Sequence, residues 1–252
     1  MANTEKFTDR AAVYSMGRPN YADCLISYLY DELGFSDEIF IADIGCGTGK
    51  FAKQLLDKGS FVYGIEPNDD MRCVAERELH IYDKFKSVKG DASHTTLSDS
   101  SVDFVTAAQA FHWFDIDEFR EECKRILKSD GRVILIWNTR DNNDEINKEV
   151  CELNKKFCPQ FKGFSGGIKE DDERIVRFFN SKYEKHSFDN PLLYNEDKFI
   201  SRLLSGSYSL KEGDKNYSEY IAEAKAIFKK YQLSDVVKMG NSTVAYIGCV
   251  SH

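Results

Sequence analysis

The sequence has no apolar stretch that approaches the roughly 20 residues needed to span a bilayer. Its start, MANTEKFTDRAAVYS, also lacks the apolar core of a secretory signal. The seven cysteines are odd in number and do not show the compact spacing of a disulfide framework. These absences argue against a membrane or secreted protein, and we expect a cytoplasmic protein whose thiols are free.

Basic residues are in the minority. The 34 Lys and Arg stand against 42 Asp and Glu, which gives a net charge of −8 and a pI near 5.3. A chain of this charge repels a phosphate backbone, so nucleic acid is a poor candidate partner. The five histidines and seven cysteines show no C-x-x-C or H-x-x-x-H spacing, and we therefore expect no metal site.

The composition is that of a globular protein, with 42% hydrophobic and 30% charged residues over 252 positions. A chain of this length can bury a sizeable core, and it predicts one α/β domain over residues 1–252. Nothing in the sequence chooses between a monomer and a homodimer.

Apolar runs alternate with helix-length amphipathic segments through the first half, which is typical of βαβ units and a parallel sheet. The predicted strands there are 39–44, 61–66, 84–88, 102–107 and 132–138. The predicted helices are 50–58, a segment from 68 or 69 to about 80, and 115–131, the last ending at Gly131. The second half is less regular, with predicted helices 143–158, 171–180, 195–205 and 217–231 and predicted strands 182–188 and 243–250.

The stretch IADIGCGTGK (41–50) places three glycines on alternate positions directly after a buried strand that contains Asp43. Gly45, Gly47 and Gly49 fall at the first strand-to-helix turn, where doubly wound sheets usually bind their ligand. Glycines at such a turn allow a backbone to approach a ligand with no Cβ in the way. The alternative is a tight turn that binds nothing.

The spacing of the glycines discriminates among ligands. A dinucleotide fingerprint requires a third glycine where this chain has Lys50, and a phosphate-binding P-loop requires other residues than Ile44 and Phe51. A carboxylate such as that of Asp43 suits a cationic ligand better than a pyrophosphate. S-adenosylmethionine carries a sulfonium and an ammonium group and fits this requirement.

Two further acidic positions follow the next predicted strands. Glu66 ends the second strand, where a carboxylate can accept hydrogen bonds from both ribose hydroxyls of a nucleotide. In the phrase KGDAS (89–93), Asp91 can accept from an adenine amino group while the Ala92 backbone N–H donates to the ring. Each signal is weak alone, but their order along the chain makes the combination specific.

The phrases DIGCGTG (43–49), GDA (90–92) and AQAFHWF (108–114), with Glu66, resemble class I S-adenosylmethionine-dependent methyltransferases. The resemblance covers roughly residues 40 to 140. It implies a Rossmann-like α/β fold with a seven-stranded sheet of order 3-2-1-4-5-7-6, an antiparallel last strand and helices on both faces. It also implies a lid in residues 1–35, a cofactor-binding core in 36–140 and a substrate cover in 141–252.

The same resemblance implies which residues contact S-adenosylmethionine and its product S-adenosylhomocysteine. The three glycines would form the methionine-side loop, Glu66 would hold the ribose, and Met71 would pack on the adenine. The full set of implied cofactor contacts is Tyr14, Arg18, Asp43, Gly45, Gly47, Gly49, Glu66, Met71, Asp91, Ala92, Ala108 and Gln109.

The segment FTDRAAVYSMGRPNY (7–21), together with AQAFHWF, resembles the branch that contains trans-aconitate carboxyl methyltransferases and related small-molecule enzymes. This predicts methyl transfer to a small molecule, with a carboxylate oxygen as the preferred acceptor. An O-, N- or C-methyltransferase of another metabolite and a non-catalytic S-adenosylmethionine-binding protein are the alternatives. Nucleic-acid amino methyltransferases resemble a [DNS]-P-P-[YF] pattern after strand four, whereas this chain has AAQAFHW.

Five side chains are candidates for the active centre. Tyr14, Arg18 and Tyr21 precede the first strand, and we expect them outside the sheet core, in a lid that closes over the cofactor. His112 can orient or deprotonate an acceptor, and Arg140 can pair with a substrate carboxylate. The alternative for His112 is a packed structural residue, and for Arg140 a solvated loop charge.

Overall fold

A computed structural model describes residues 19–164, 172–206 and 208–250. Its strands are β1 Phe40–Ile44, β2 Phe61–Ile65, β3 Phe85–Val88, β4 Val102–Ala108, β5 Leu127–Arg140, β6 Tyr183–Asp189, β7 Leu192–Tyr194, β8 Val237–Met239 and β9 Asn241–Gly248. Seven of them form one sheet in the order β3-β2-β1-β4-β5-β9-β6, and β7 pairs with β8 in a separate ribbon. The first five are parallel, and β9 runs antiparallel to both its neighbours. The predicted strand order and the antiparallel last strand are therefore confirmed.

The helices are α1 Asp23–Asp31, α2 Lys50–Leu56, α3 Asp69–Leu79, α4 Ile116–Ile126, α5 Glu145–Phe157, α6 Glu173–Phe178, α7 Glu196–Leu204 and α8 Tyr217–Tyr231. Short polar residues begin several of them, as expected for N-caps. The side chain of Asn68 accepts from the Met71 N–H at α3, and that of Asp115 accepts from the N–H groups of Asp117 and Glu118 at α4. Among the described residues, no helix is both long and apolar enough to cross a membrane.

Alternate side chains of the strands are buried in two cores on opposite faces of the sheet, as the two-residue period of a strand requires. On one face the sheet packs against α4 and α6, with Phe111, Phe119 and Trp137 among the buried side chains. On the other face it packs against α1 and α2. A third apolar cluster joins α5, α7, α8 and the β7–β8 ribbon in the segment that follows β5.

The structure corrects the predicted boundary between α4 and β5. The helix ends at Ile126 and the strand begins at Leu127, so Gly131 lies inside the strand. The pairing of β4 with β5 shifts register between Val102 and Phe104. A Cβ on Gly131 would lie 2.7 Å from the Leu127 side chain. The glycine therefore marks an irregularity in the sheet and does not end the helix.

The structure also corrects the expectation that Tyr21 lies outside the core. Tyr21 is buried and contacts Phe51 of α2 edge to face, with ring centroids 5.1 Å apart. Its backbone N–H donates to Gln54 Oε1 at 3.0 Å, and its carbonyl accepts from Gln54 Nε2 at the same distance. The helix that follows, α1, packs on the sheet, so Tyr21 belongs to the core of the domain. Tyr14 and Arg18 lie outside the described residues.

Candidate active site

The glycine motif forms the loop between β1 and α2. The backbone N–H groups of Gly45 and Cys46 both donate to the Ile65 carbonyl, at 2.8 and 3.1 Å. These bonds hold the loop against the end of β2, so the ends of two neighbouring parallel strands lie together. The edge of the sheet that the sequence predicts as the ligand site is thereby assembled.

The three glycines of this loop serve different purposes. All have positive φ, but a Cβ on Gly45 or Gly49 would come within 2.7 or 2.6 Å of a neighbouring side chain. At Gly47, with φ of +58°, a Cβ would meet only the Met71 sulfur, at 3.9 Å. Packing therefore requires glycine at the outer two positions, whereas Gly47 borders open space beside Met71.

Glu66 follows β2 directly and borders the same loop. Its Oε2 accepts from the Gly47 N–H and its Oε1 from the Asn68 N–H, both at 2.9 Å. The side chain is largely buried, and desolvation raises its pKa against the lowering effect of the two backbone bonds and of Arg72. Each carboxylate oxygen has a second lone pair, so Glu66 can still accept from a ligand hydroxyl.

Asp43 lies beneath the loop and is almost fully buried. Its Oδ1 accepts from Thr106 Oγ1 at 2.8 Å, while Oδ2 is buried with no hydrogen-bond partner among the described residues. Desolvation raises the pKa of Asp43 to about 7; the Thr106 bond opposes this and the nearby Glu66 charge adds to it. A buried carboxylate oxygen without a partner is costly, and a cationic ligand would remove that cost.

The turn after β3 carries the two residues that the sequence assigned to adenine. The exposed Asp91 accepts at Oδ1 from the N–H groups of Ser93 and His94, each at 2.9 Å. Ala92 is buried in the sheet core. The turn continues to Thr95, whose N–H and hydroxyl both donate to Glu122 Oε1 of α4, at 2.7 and 2.5 Å. This turn is therefore tied to a helix of the domain.

The residue that follows β4 has a strained backbone conformation. After Ala108, Gln109 adopts φ of +58°, a region that non-glycine residues rarely occupy. Its N–H donates to the Ile136 carbonyl at 2.8 Å and its Nε2 to the Asn138 carbonyl at 3.2 Å. Both bonds hold the strained residue on β5, and such strain is often found at functional sites.

His112 follows in a single 3-10 turn, Phe111–Trp113. The centroids of its half-buried ring and of the Trp113 ring are 4.7 Å apart. Trp113 is 45% exposed, which is unusual for tryptophan. Arg174 of α6 donates to the His112 carbonyl at 3.5 Å, and its guanidinium is held by both oxygens of Asp172. His112 and Trp113 thus lie in the turn that follows β4, and Arg174 of α6 holds the backbone of this turn.

Arg140 ends β5 and lies against an aromatic ring. Its guanidinium carbon is 3.7 Å from the centroid of Phe164, a cation–π contact. Burial raises the pKa of the Tyr194 and Tyr220 hydroxyls in the third cluster, and the charge of Arg140 opposes that shift. Arg140 is therefore a packed residue and not a solvated loop charge.

Comparisons with known proteins agree with this geometry. A family model described as "Methyltransferase domain" matches residues 42–135, which run from β1 into β5. An uncharacterized methyltransferase-like protein of Schizosaccharomyces pombe is 28% identical over 95% of this chain and 93% of its own length. An uncharacterized methyltransferase of Mycobacterium tuberculosis is 34% identical over 58% of each chain, so the match spans little more than half of that relative. Residues 42–135 therefore form an S-adenosylmethionine-dependent methyltransferase domain.

Solved structures show the same fold. A protein of Anaeromyxobacter dehalogenans, provisionally assigned as a type II methyltransferase, superposes with a TM-score of 0.65 at 18% identity, covering 92% of this chain and 98% of that one. A phosphoethanolamine N-methyltransferase of Haemonchus contortus, solved with S-adenosylhomocysteine, gives a TM-score of 0.55 at 15% identity, covering 98% of this chain and 60% of that one. At these identities the likeness concerns the fold alone.

The residues of the methyltransferase fit its cofactor by their own geometry. The open space at Gly47, the buried Asp43 Oδ2 and the Glu66 carboxylate converge on one edge of the sheet. Cys46 lies in the same loop, where desolvation and the charges of Asp43 and Glu66 hold its thiol pKa well above the ordinary value. This pKa disfavours the reactive thiolate and agrees with the interpretation of Cys46 as a filler.

Sequence reasoning missed several residues that build this site. Thr106 is one position in a buried apolar strand, and its bond to Asp43 depends on the register of β4 with β1. Asp172 and Arg174 come from a separate helix, so no local pattern connects them with His112. Among the described residues there is no group of three or more His, Cys, Asp or Glu that could hold a metal ion.

Proposed function

We propose that this methyltransferase transfers a methyl group from S-adenosylmethionine to a carboxylate oxygen of a small-molecule acid. The observation that carries the proposal is the guanidinium of Arg140, fixed against Phe164 at the end of β5. A carboxylate is already ionised at neutral pH, so it needs a cationic clamp that positions it and does not need a base. Arginine provides such a clamp through paired N–H donors.

The cofactor supplies the electrophile, a methyl group on a sulfonium that is transferred by in-line displacement. We assign the ammonium side to Asp43 and the glycine loop, the ribose to Glu66, and the adenine to Met71, Asp91 and Ala92. Ala108 and Gln109, at the strained end of β4, would border the methionine portion. Tyr14 and Arg18 keep the lid role that the sequence predicts for them.

The chain contributes alignment and exclusion of water. Good alignment of the reacting atoms can account for a large share of the rate, and a strong base is unnecessary for a carboxylate nucleophile. The exposed Trp113 ring offers an apolar wall beside His112. His112 would orient the acceptor here, whereas in a hydroxyl methyltransferase it would remove a proton.

The first test is transfer of a radiolabelled methyl group from S-adenosylmethionine to a panel of di- and tricarboxylic acids, followed by alkaline hydrolysis. We expect volatile labelled methanol, because a methyl ester is cleaved by base. Label that survives base would show an ether, amine or carbon acceptor and would contradict the proposal.

Two variants further distinguish a carboxylate acceptor from a hydroxyl acceptor. Arg140→Gln should raise KM for the acid at least tenfold, whereas His112→Gln should leave kcat within about tenfold of wild type. Loss of a general base costs roughly 10²–10⁴ in rate. A loss of that size in His112→Gln, with Arg140→Gln unaffected, would favour a hydroxyl acceptor.

A further inference from the structure

Three polar side chains form a hydrogen-bonded cluster where β5 and β6 end and β9 begins. They are Asn138 of β5, Asn190 after β6 and Thr243 of β9, and we call them the edge cluster. The Thr243 hydroxyl donates to Asn138 Oδ1 at 2.6 Å, and Asn190 Nδ2 donates to the same oxygen at 3.2 Å. Asn190 Nδ2 also donates to the Thr243 hydroxyl oxygen, at 3.2 Å. The three side chains therefore contact one another directly.

The edge cluster lies where buried strands become polar. In β5 the four residues before Asn138 are apolar and fully buried, and in β9 the four residues after Thr243 are apolar and buried. Thr243 itself has no exposed surface, so its hydroxyl requires hydrogen-bond partners. The strand β5 is parallel to β4 and β1, so it ends at the edge of the sheet that carries the glycine loop. The edge cluster is therefore on the same edge as the candidate active site.

The edge cluster also fixes the chain that enters α1. The Asn20 carbonyl accepts from Asn138 Nδ2 at 3.1 Å and from Asn190 Nδ2 at 2.9 Å. Two positions later, the Ala22 N–H donates to Thr243 Oγ1 at 2.9 Å. Asn138 thus uses its amide nitrogen and its amide oxygen at once, and this double use fixes the orientation of its side chain.

The backbone of Asn138 connects the edge cluster with the residue that follows β4. Its carbonyl accepts from Gln109 Nε2 at 3.2 Å. Within residues 19–164, 172–206 and 208–250, this is the one hydrogen bond of the Gln109 side chain. The backbone of Gln109 has φ of +58°, and a residue other than glycine keeps such a conformation only where its surroundings hold it. The orientation of the Gln109 side chain therefore depends on where the Asn138 carbonyl lies.

We propose that Asn138, held by Asn190 and Thr243, is a positioning residue that orients Gln109 toward the methionine portion of S-adenosylmethionine. The inference rests on the proposed function, in which Gln109 borders that portion of the cofactor. Asn138 acts through Gln109 and is not itself a cofactor contact. Three hydrogen bonds of its side chain hold the end of β5, and the carbonyl that holds Gln109 belongs to the same residue. Several satisfied polar groups that fix one position are well suited to preorganise a binding residue.

The experiment compares two ligands that differ only at the methionine portion. S-adenosylhomocysteine carries the amino-acid end, whereas methylthioadenosine shares the adenosine and the sulfur and carries a methyl group in its place. Isothermal titration calorimetry on the full chain gives the Kd of each ligand. We expect Asn138→Ala to raise the Kd for S-adenosylhomocysteine at least fivefold and to leave that for methylthioadenosine within twofold of wild type. A general loss of order at the site would weaken both ligands alike.

Further variants test whether the effect passes through Gln109. In a Gln109→Ala background the orienting contact is already lost, so adding Asn138→Ala should change the affinity for S-adenosylhomocysteine by less than twofold. Asn138→Asp keeps an oxygen for Thr243 and Asn190 and should retain part of the wild-type affinity. Thr243→Val removes the hydroxyl that donates to Asn138, and it should weaken S-adenosylhomocysteine alone, at least twofold. This last variant carries the test if Asn138→Ala does not fold.

Asn147→Ala is the matched control. Asn147 is buried, and its Nδ2 donates to the carbonyls of Asp141 and Gly240 at 3.0 and 2.7 Å, so it too joins separate segments through an asparagine side chain. In the part of the chain that the structure describes, it makes no hydrogen bond to Gln109. This variant should lose stability in urea, yet both Kd values should stay within twofold of wild type.

The outcomes distinguish the inference from the assignment on which it rests. If Asn138→Ala weakens both ligands equally or neither, while Gln109→Ala weakens S-adenosylhomocysteine alone, the positioning role is overturned and the assignment of Gln109 stands. If Gln109→Ala weakens neither ligand, that assignment fails and the inference fails with it. Additive losses in the double variant would show that Asn138 acts by another route and would also overturn the inference. Base-labile methyl transfer to an acid is measured separately, so carboxyl methylation is decided independently of these results.

Discussion

Gly47 is the residue at which cofactor binding can be tested without disturbing the packing of the loop. We expect Gly47→Ala to weaken binding of S-adenosylhomocysteine at least tenfold. The new Cβ would enter the space beside Met71, and φ of +58° is strained for alanine by roughly 1 kcal/mol. Isothermal titration calorimetry measures the affinity.

Gly213 provides the matched control for this substitution. It also has positive φ, +93°, and a Cβ there would meet nothing within 4 Å. Gly213→Ala should therefore lose a similar amount of stability while its affinity for S-adenosylhomocysteine stays at the wild-type value. If the two variants bound alike, the assignment of the glycine loop to the cofactor would be wrong.

We expect Asp43 to make the affinity for the cofactor depend on pH. Its pKa of about 7 in the cofactor-free protein means that the carboxyl is partly protonated at neutral pH. A cationic ligand favours the ionised form, so binding should release a proton. We expect the affinity for S-adenosylmethionine to increase as pH rises from 5.5 to 7.5, by up to about tenfold per unit below the pKa.

The measurement is calorimetry across that pH range in buffers of different ionisation enthalpy, which counts the protons released. Asp43→Asn keeps an oxygen for the Thr106 hydroxyl but cannot ionise. Its affinity should be weaker and nearly independent of pH. The same pH slope in the variant would assign the proton to another group.

At the scale of elements, the turn after β3 depends on α4. Glu122 accepts two bonds from Thr95 and a bidentate pair from Arg125, at 2.9 and 2.8 Å. Glu122→Gln should reduce the free energy of unfolding by about 1–3 kcal/mol, since bonds to a charged acceptor are lost. It should also weaken cofactor binding severalfold, because the same turn carries Asp91 and Ala92.

Glu121 lies beside Glu122 on the same helix but is 70% exposed and pairs with Lys124 on the surface. Exposed pairs contribute less than about 1 kcal/mol. Glu121→Gln should therefore change the unfolding free energy by about 0.5 kcal/mol or less and leave affinity unchanged. Urea denaturation measures the stability of both variants, and calorimetry measures their affinity for S-adenosylhomocysteine. Equal effects of the two substitutions would show that the bonds of Glu122 to Thr95 and Arg125 are unimportant.

The elements that sequence could predict are those with a strong local pattern. Helices separate β1 from β2 and β2 from β3, a loop joins β3 to β4, and the predicted bounds of all four strands agree with the structure to within one or two residues. The ribbon of β7 and β8 was missed because three residues per strand are too few for an alternating pattern to be visible. Tyr21 was misplaced because its burial depends on Gln54 and Phe51, which lie thirty or more positions further along the chain.

The residues of the candidate site could likewise be predicted only where a local pattern marks them. The glycine loop, Asp43 and Glu66 could be found because glycine spacing and strand ends are local features. The partners that complete the site could not be predicted. Thr106 reaches Asp43 through the register of β4 with β1, and Arg174 of α6 reaches the His112 carbonyl from 62 positions further along the chain. Side chains that meet through tertiary packing leave no spacing in the sequence.

At the scale of the whole molecule, two buried carboxyls give opposite dependences of stability on pH. The pKa of Glu122 is about 2: burial opposes the shift, but the bonds from Arg125 and Thr95 outweigh it. Its contribution is present above pH 4.5 and is lost as pH falls through about 2. The pKa of Asp43 is about 7 against an ordinary 3.8, so its contribution is full below pH 3.8 and is lost as pH rises through about 7.

The cofactor-free protein should therefore lose stability between pH 4.5 and 7.5 through Asp43, although most proteins are stable in that range. Urea denaturation at the two pH values should show this loss in wild type and a smaller one in Asp43→Asn. Saturating S-adenosylmethionine should reverse the loss at pH 7.5, since a ligand at a hundred times its Kd adds about 2.7 kcal/mol. An equal pH slope in the two proteins would show that Asp43 is ionised in the empty site, and the tight coupling between its proton and the cofactor would then be absent.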